Sequence, residues 1–93
     1  MYNLFMDFEF DPAKNIANIK KHGVDLADVE GVFYDQSAVT VEDNDHDEQR
    51  FVTIGMDDFG RILVVCYTYR GKAAIRLISA RKAKPHEHKV YEG

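Results

Sequence analysis

The sequence predicts one α+β domain, in which an antiparallel sheet is accompanied by two N-terminal helices and a short C-terminal helix. Residues 38–81 hold runs of β-branched and aromatic residues separated by short polar turns, which is the pattern of successive hairpins. Before them, two segments begin at an aspartate and carry apolar residues at helical spacing, and a polar helical segment follows Pro85. The length of 93 residues suits a single domain over 1–93.

The N-terminal segment predicts a short strand followed by a helix. Residues 7–10 alternate between acidic and aromatic side chains, as a short strand does. Asp11 and Pro12 then predict a helix start, since the aspartate can accept from free N–H groups and proline loses no needed donor there. Cations at residues 20–22 and Gly23 predict its end. The face expected to pack on the sheet consists of Ala13, Ile16 and Ala17.

A second helix is predicted to begin at Asp25, which can cap it. Its expected buried stripe consists of Leu26, Val29, Val32 and Phe33. Gly31 falls inside this stretch, where glycine costs up to about 1 kcal/mol relative to alanine. Gly31 therefore indicates either a close packing contact or an early end of the helix.

The remaining chain predicts strands over 38–41 and 50–55, a long hairpin over 60–84 and a C-terminal helix over 86–92. The run Ile62–Cys66 is almost wholly apolar, which favours a strand in the middle of the sheet. The hairpin carries most of the arginines. Because side chains alternate along a strand, Arg76 and Arg81 should lie on opposite faces unless a bulge intervenes.

Charge is distributed very unevenly along the chain. Residues 1–60 hold four Lys/Arg against 14 Asp/Glu, whereas residues 61–93 hold eight against two. A basic C-terminal third can attract phosphate, and the acidic part can meet a basic partner. The single cysteine, Cys66, lies in an apolar run, which suits a core residue in the reducing cytoplasm, and no stretch is apolar enough to span a membrane.

The acidic loop over 42–48 does not predict a metal site. Asp43, Asp45 and Asp47 have the spacing that opens an EF-hand loop. However, Glu48 stands where that loop requires glycine, and Ile54 stands where it requires a bidentate glutamate. His46 has no other histidine at zinc-ligand spacing. We therefore expect a solvated loop, with no metal and no cofactor.

An ordered series of short motifs resembles the BrnT-type toxins of bacterial type II toxin–antitoxin modules, which belong to the RelE-like ribonuclease superfamily. The series runs Phe-Glu-Phe-Asp-Pro-Ala-Lys at 8–14, Lys-Lys-His-Gly at 20–23, Gly-Arg at 60–61, Tyr-Thr at 67–68 and Ser-Ala-Arg-Lys-Ala at 79–83. The resemblance covers almost the whole chain, and it implies a RelE-like fold, ribonuclease activity and a BrnA-type antitoxin. The ribbon-helix-helix part of that antitoxin would bind operator DNA, with two toxins on one antitoxin dimer, and we expect the antitoxin to cover the basic C-terminal third.

Metal-free RNA cleavage requires a group that takes the 2′-hydroxyl proton, cations that stabilise the phosphorane, and a group that protonates the leaving 5′ oxygen. Arginine suits the second task because its fork pairs with phosphate oxygens and does not deprotonate. The catalytic candidates are Arg81, Arg76, Arg61, Tyr67, Lys21 and His22, and the RNA-binding candidates are Arg70, Lys72, Lys82 and Lys84.

Each candidate also has a plainer interpretation. A strand arginine is often solvated, a tyrosine on a central strand often belongs to the core, and cations at 21 and 22 suit a helix end. The alternative function is a non-catalytic module that binds an antitoxin and modulates its DNA binding. A metal-dependent hydrolase is a third possibility, which activity in excess chelator would exclude.

Overall fold

The computed structural model describes residues 6–44 and 47–93. In chain order its elements are β1 (Asp7–Glu9), α1 (Pro12–His22), two 3₁₀ segments (Leu26–Asp28 and Glu30–Tyr34), β2 (Val39–Asp43), β3 (Arg50–Met56), β4 (Ile62–Arg70), β5 (Ala74–Lys82) and α2 (Pro85–Glu92). Asp45 and His46 of the acidic loop lie outside the described residues. None of the helices in the described ranges is long and apolar enough to cross a membrane.

The five strands form one sheet in the order β1-β5-β4-β3-β2. β4 is therefore central, as its apolar run predicts. The α+β class is confirmed, but the expectation of a wholly antiparallel sheet is wrong, because β1 pairs with β5 in parallel. β2, β3, β4 and β5 are joined by hairpins, which make them antiparallel, whereas β1 is separated from β5 by most of the chain and is under no such constraint.

The core lies between one face of the sheet and the segment that follows α1. We call this the inner face of the sheet, and the opposite side its outer face. The buried core residues are Val24, Leu26, Val29, Val32 and Phe33 from the segment, and Leu63, Val65, Tyr67, Ile75, Leu77 and Ala80 from β4 and β5. The stripe expected of the second helix is thus buried as predicted.

The second helix itself is not formed, and two 3₁₀ segments replace it. Asp25 does cap the first of them, since its carboxylate accepts from the backbone N–H of Ala27 at 2.9 Å. Gly31 is the site of a close packing contact, because a Cβ there would lie 2.9 Å from the backbone nitrogen of Asp58. The β3–β4 turn therefore packs closely against this segment, and the segment forms tighter 3₁₀ turns in place of a regular α-helix.

α1 begins and ends as predicted but faces the opposite way. The Asp11 carboxylate accepts from the N–H of Ala13 at 2.9 Å, and Gly23 has a left-handed φ of 71°. However, the expected packing face is wrong, because Asn15 and Asn18 are buried while the Ile16 side chain is 69% exposed. The asparagines face inward because their amides bond to polar backbone groups that would otherwise be buried without partners.

Asn18 makes the bonds that attach α1 to β5. Its Oδ1 accepts from the N–H of Ala80 at 3.1 Å, and its Nδ2 donates to the carbonyls of Ala80 at 3.0 Å and Val24 at 2.8 Å. The side-chain amide thus bonds to β5 much as a neighbouring strand would. Asn15 similarly accepts from the N–H of Leu26 and donates to Asp25, both at 2.8 Å.

α2 packs against β3 and covers one end of the outer face, where Val64 is only 8% exposed. Two polar contacts fix it. The Tyr91 hydroxyl donates to Asp35 at 2.8 Å, and Arg81 on β5 forms an ion pair with Glu87 at 2.7 Å. The rest of the outer face has no helix described on it.

Candidate functional site

A β-bulge in β5 determines which arginines lie together. Cys66 on β4 pairs with Ser79, but the next residue, Tyr67, pairs with Leu77, so β5 has one extra residue at this point. The extra residue reverses the alternation of β5. Arg76 and Arg81, which simple alternation would separate, therefore share the outer face, opposite Thr68 and Val64 of β4.

Thr68 and Val64 are four residues apart on β4, which corresponds to about 13 Å along the strand. Arginine side chains are long enough for the two guanidinium groups to approach the surface between them. Cys66 and Ser79 form the pair that lies between Arg76 and Arg81. Burial raises the pKa of the Cys66 thiol, so this cysteine is uncharged at neutral pH and unsuited to act as a nucleophile.

Arg76 and Arg70 both approach the carboxylate of Glu9 on β1. The Arg76 guanidinium lies 3.5 Å from a Glu9 oxygen, and the Arg70 guanidinium lies 3.9 Å from it. Glu9 can approach both because the parallel pairing of β1 with β5 sets it directly beside Arg76. The parallel pairing of β1, which the sequence did not predict, thus provides the local counter-charge of the site.

Arg81 forms the strongest ion pair of the outer face. Two of its nitrogens donate to the two oxygens of Glu87, at 2.7 and 2.8 Å, in a bidentate arrangement. Glu87 also accepts from the backbone N–H of Lys84 at 2.8 Å, which fixes the start of α2. The hydrogen bonds from Arg81 lower the pKa of Glu87 to about 2, and the same contact raises the pKa of Arg81. Arg81 therefore has a structural role, and a third of its side chain remains exposed.

Arg50 belongs to this surface, although the sequence analysis did not select it. The register of β3 and β4 sets Arg50 next to Thr68 and therefore on the outer face with Arg76. It forms an ion pair with Glu48 at 3.2 Å. The sequence predicted a strand from residue 50, but it did not show which residue of β4 lies beside Arg50, because that depends on the register of the two strands.

Arg61 lies apart from the outer-face arginines, just before β4 begins. Its Nε donates to the buried carboxylate of Asp57 at 2.7 Å, and its guanidinium lies 5.5 Å from the ring centre of Phe59. Asp57 also accepts from the backbone N–H of Arg61 and of Phe59, at 2.8 and 3.0 Å. These contacts stabilise the β3–β4 turn.

Tyr67 is fully buried on the inner face and is not brought to the arginines. Its hydroxyl bonds to Thr53 at 2.8 Å, and Thr53 bonds to Thr40 at 2.8 Å. Its ring contacts Phe33 edge-on, with the centres 4.8 Å apart. This position matches the plainer interpretation of Tyr67 as a core residue.

Lys21 and His22 form the last turn of α1, which packs on the inner side of the sheet with the 24–34 segment. Lys21 is exposed and His22 is half-buried. The other RNA-binding candidates are exposed around the hairpin: Lys72 in the β4–β5 turn, Lys82 at the end of β5 and Lys84 just before α2. Basic residues thus lie at both ends of β5, although Lys82, which pairs with the core residue Leu63, is on the inner side of the sheet.

Every arginine in the sequence has a carboxylate partner within 4 Å. The pairs are Arg50–Glu48, Arg61–Asp57, Arg70–Glu9, Arg76–Glu9 and Arg81–Glu87. Four of these five arginines lie on the outer face, and their forks suit phosphate oxygens as well as carboxylates. An anionic ligand at this surface would therefore exchange with carboxylates already present.

Comparison with known proteins identifies the family. Residues 10–87 match the family model of BrnT, described as the ribonuclease toxin of a type II toxin–antitoxin system. The chain belongs to the BrnT family of ribonuclease toxins. A crystal structure of the Brucella abortus ribonuclease toxin BrnT is similar in fold, with a TM-score of 0.71 and 31% identity over 85% of this chain and 97% of that one. A search of curated protein sequences found no match.

Membership in the BrnT family confirms the resemblance drawn from the motifs. It gives this chain the general role of a toxin in a type II toxin–antitoxin system, with RNA as the class of substrate and an antitoxin as the partner. The α+β arrangement agrees with the Brucella toxin over nearly the whole of that protein.

Proposed function

We propose that this BrnT-family chain is a RelE-like, metal-independent endoribonuclease that cleaves RNA on the outer face of its sheet and so inhibits translation and growth. The observation that carries the proposal is the bulge in β5, which turns Arg76 and Arg81 to the same face. Arg70 and Arg50 extend this row of cations toward the β4–β5 turn and β3, and Lys72 and Lys84 lie beyond the two ends of β5. A row of arginines on a sheet suits the phosphates of a single strand of RNA.

In the proposed reaction, the 2′ oxygen of a ribose attacks the adjacent phosphorus while its proton passes to a general base. The bond from phosphorus to the 5′ oxygen breaks, and that oxygen takes a proton from a general acid, so the products carry a 2′,3′-cyclic phosphate and a 5′-hydroxyl. Arg81 and Arg76 stabilise the negative charge that accumulates on the phosphorane. No metal is required for these steps.

Glu87 acts in this scheme by orienting the guanidinium of Arg81. Its pKa of about 2 means that it is ionised at neutral pH and has no proton to donate. Lysine and histidine are residue types that carry out proton transfer, but Lys21 and His22 lie on α1, on the inner side of the sheet and outside the outer-face row of arginines, so the general base and general acid of this scheme are not assigned to them. Arg61 and Tyr67, which are held by Asp57 and Thr53, support the turn and the core around the site.

The partner in this proposal is a BrnA-type antitoxin in the cytoplasm, whose ribbon-helix-helix part dimerises and binds operator DNA. By symmetry the complex holds two toxins on one antitoxin dimer. The antitoxin covers the basic C-terminal third at least in part, because its carboxylates suit the same arginine forks that phosphate does. The toxin contacts DNA only through the antitoxin.

The test is cleavage of single-stranded RNA by the purified chain in excess chelator, with analysis of the product ends. We expect 2′,3′-cyclic phosphate or 3′-phosphate ends. Arg81→Ala should lower the rate by about 10²–10³-fold, as the loss of one oxyanion donor does, and Arg76→Ala should lower it less. Because Arg81 also fixes α2, Glu87→Ala is the matched variant, since it breaks the same ion pair but keeps the arginine.

If Arg81 contacts the phosphate, Glu87→Ala should retain far more activity than Arg81→Ala. Equal losses in the two variants would mean that Arg81 acts only by fixing α2. Products with 3′-hydroxyl ends, or strict dependence on magnesium, would refute the mechanism. An absence of cleavage together with tight binding of the antitoxin would favour the non-catalytic alternative, which the pairing of every arginine with a carboxylate also permits.

A further inference from the structure

The solvent-facing side of α1 carries a stripe of apolar residues, with Lys20 on the same side. We call this side the α1 apolar face, and it consists of Pro12, Ala13, Ile16, Ala17 and Ile19. The Ile16 side chain is 69% exposed and that of Ile19 is 40% exposed. Residues at this spacing form one stripe along a helix, which is how an amphipathic helix presents anchors to a partner.

The exposure of this stripe follows from the way α1 is attached. Asn15 and Asn18 occupy the inward side, and their amides bond to the backbone of Leu26, Val24 and Ala80. The helix is thus attached by hydrogen bonds of its polar side, and rotating it to bury Ile16 would break them. Within the described residues, the fold offers the apolar stripe no internal partner.

The charges on α1 indicate what kind of partner covers the stripe. Residues 1–60 contain four Lys/Arg, and three of them, Lys14, Lys20 and Lys21, lie on this one helix. The helix has no acidic residue, although the same part of the chain holds 14. Lys20 and Lys21 suit the negative end of the helix, but Lys14 lies in the first turn, where the helix dipole disfavours a cation. Lys14 is not explained by the helix end, and its exposed side chain is accessible to an external anion.

We propose that the α1 apolar face, with Lys14, Lys20 and Lys21 beside it, binds an acidic amphipathic helix of the antitoxin. The apolar residues of that helix cover Ile16 and Ile19, and its carboxylates pair with the lysines. This inference rests on the antitoxin partner of the proposed function and adds a second contact to the expected one on the basic C-terminal third. Because α1 lies on the inner side of the sheet, binding there leaves the outer-face arginines free for the rest of the antitoxin.

Two other occupants fit the surface less well. A second copy of this chain, paired helix to helix, would bring the three lysines of α1 against the same three lysines. RNA would gain little from an aliphatic stripe, because α1 has no arginine fork for phosphates and its one ring, that of the half-buried His22, lies at the helix end and outside the α1 apolar face.

The experiment measures binding of the full chain to the antitoxin encoded by the adjacent reading frame, with Ile16→Glu as the main variant. Glutamate at 16 removes an apolar anchor and repels an acidic partner, while Lys20 four residues later supports it within the helix. We expect the dissociation constant to rise about 10- to 100-fold, as for loss of a central interface anchor. Lys14→Glu should raise it several-fold at low salt and less at high salt.

The matched control is Phe59→Glu, which introduces the same charge at an apolar residue that is 67% exposed in the β3–β4 turn, away from both α1 and the outer face. Its dissociation constant should stay within about twofold of that of the wild type, as expected for a surface change outside an interface. RNA cleavage by Ile16→Glu should equal that of the wild type, since the outer face is unchanged. Measuring RNA cleavage and antitoxin binding separately distinguishes the proposed ribonuclease activity from the proposed α1 contact. A chain that fails to cleave RNA can still show whether Ile16→Glu weakens antitoxin binding.

Three results would overturn the inference. Unchanged antitoxin affinity in Ile16→Glu would show that α1 is not a contact. Weakened RNA binding with unchanged antitoxin affinity would assign the face to RNA. A dimer of the free wild-type chain that dissociates in Ile16→Glu, again with unchanged antitoxin affinity, would assign it to a second copy. A wild-type chain that fails to bind the antitoxin would refute both this inference and the partner in the proposed function.

Discussion

The ion pair of Arg81 and Glu87 makes a sharp prediction about stability and pH. Glu87→Gln keeps the shape of the side chain but removes its charge, so that the bidentate contact with Arg81 is lost. The pKa of Glu87 falls from 4.5 to about 2 in the folded chain, which would correspond to about 3 kcal/mol if water were excluded from the pair. Because the Arg81 side chain is 33% exposed, solvent screening reduces this to about 1–2 kcal/mol.

The sign of the pH dependence follows from the direction in which folding shifts the pKa of Glu87. A carboxylate with a lowered pKa in the folded state stabilises that state above its unfolded pKa, and this contribution disappears as pH falls through the folded pKa. At pH 7 the free energy of unfolding of the wild type should therefore exceed that of Glu87→Gln by the full amount of about 1–2 kcal/mol. The difference should shrink between about pH 4.5 and pH 2, as Glu87 becomes protonated in the wild type.

The assay is urea unfolding of both chains at pH 7, 5, 4 and 3, with Glu92→Gln as a matched change at an exposed carboxylate of the same helix. At pH 7 the expected loss for Glu87→Gln corresponds to a melting temperature lower by about 5–10 °C for a domain of this size. A wild-type advantage that stays constant from pH 7 to pH 3 would show that the Glu87 carboxylate is not the source of the stabilisation. An equal loss in Glu92→Gln would show a general charge effect.

Three further predictions concern the α1 attachment, the 3₁₀ segment and the outer face. Asn18→Ala should destabilise the fold by about 2–4 kcal/mol in urea unfolding, because it leaves the buried N–H and C=O of Ala80 without their amide partner. Gly31→Ala should cost about 1–3 kcal/mol in the same measurement, since the added Cβ would overlap Asp58, and a neutral result would mean that this turn moves aside. Glu9→Gln should tighten RNA binding by about two- to fivefold at low salt, because it frees the cations paired with Glu9, and weaker binding would show that Glu9 itself helps to hold RNA.

The strands and the boundaries of α1 could be predicted because local signals specify them. The Asp11 cap, Gly23 and the apolar run of β4 act within a few residues, and the structure has each of them as expected. The family also followed from sequence, since its motifs are spaced along the whole chain.

The orientation of α1 and the grouping of the arginines could not be predicted, because they depend on distant contacts. Ile16 and Ala17 form a convincing packing face until Asn18 is seen to bond with Ala80, 62 residues later. The bulge that brings Arg76 and Arg81 to one face leaves no local signal either, because it depends on how β5 aligns with β4. In both cases the local pattern, which is the apolar face of α1 or the alternation of side chains along β5, is overridden by hydrogen bonds between distant parts of the chain.

The ion pairs of the outer face bear on how the proposed RNA site fits a chain whose formal net charge is −4. Unpaired arginines side by side on β4 and β5 would repel one another, and Glu9 and Glu87 reduce this repulsion in the free fold. RNA binding then becomes an exchange in which phosphates replace or join carboxylates at the same forks. Exchange costs less where the existing pair is long and exposed, as at Arg76 with Glu9, than where it is short and bidentate, as at Arg81 with Glu87. We therefore predict that the Arg76 end of the row attracts RNA first, and that Glu87, which holds Arg81 in place, orients it toward the phosphate of the proposed reaction.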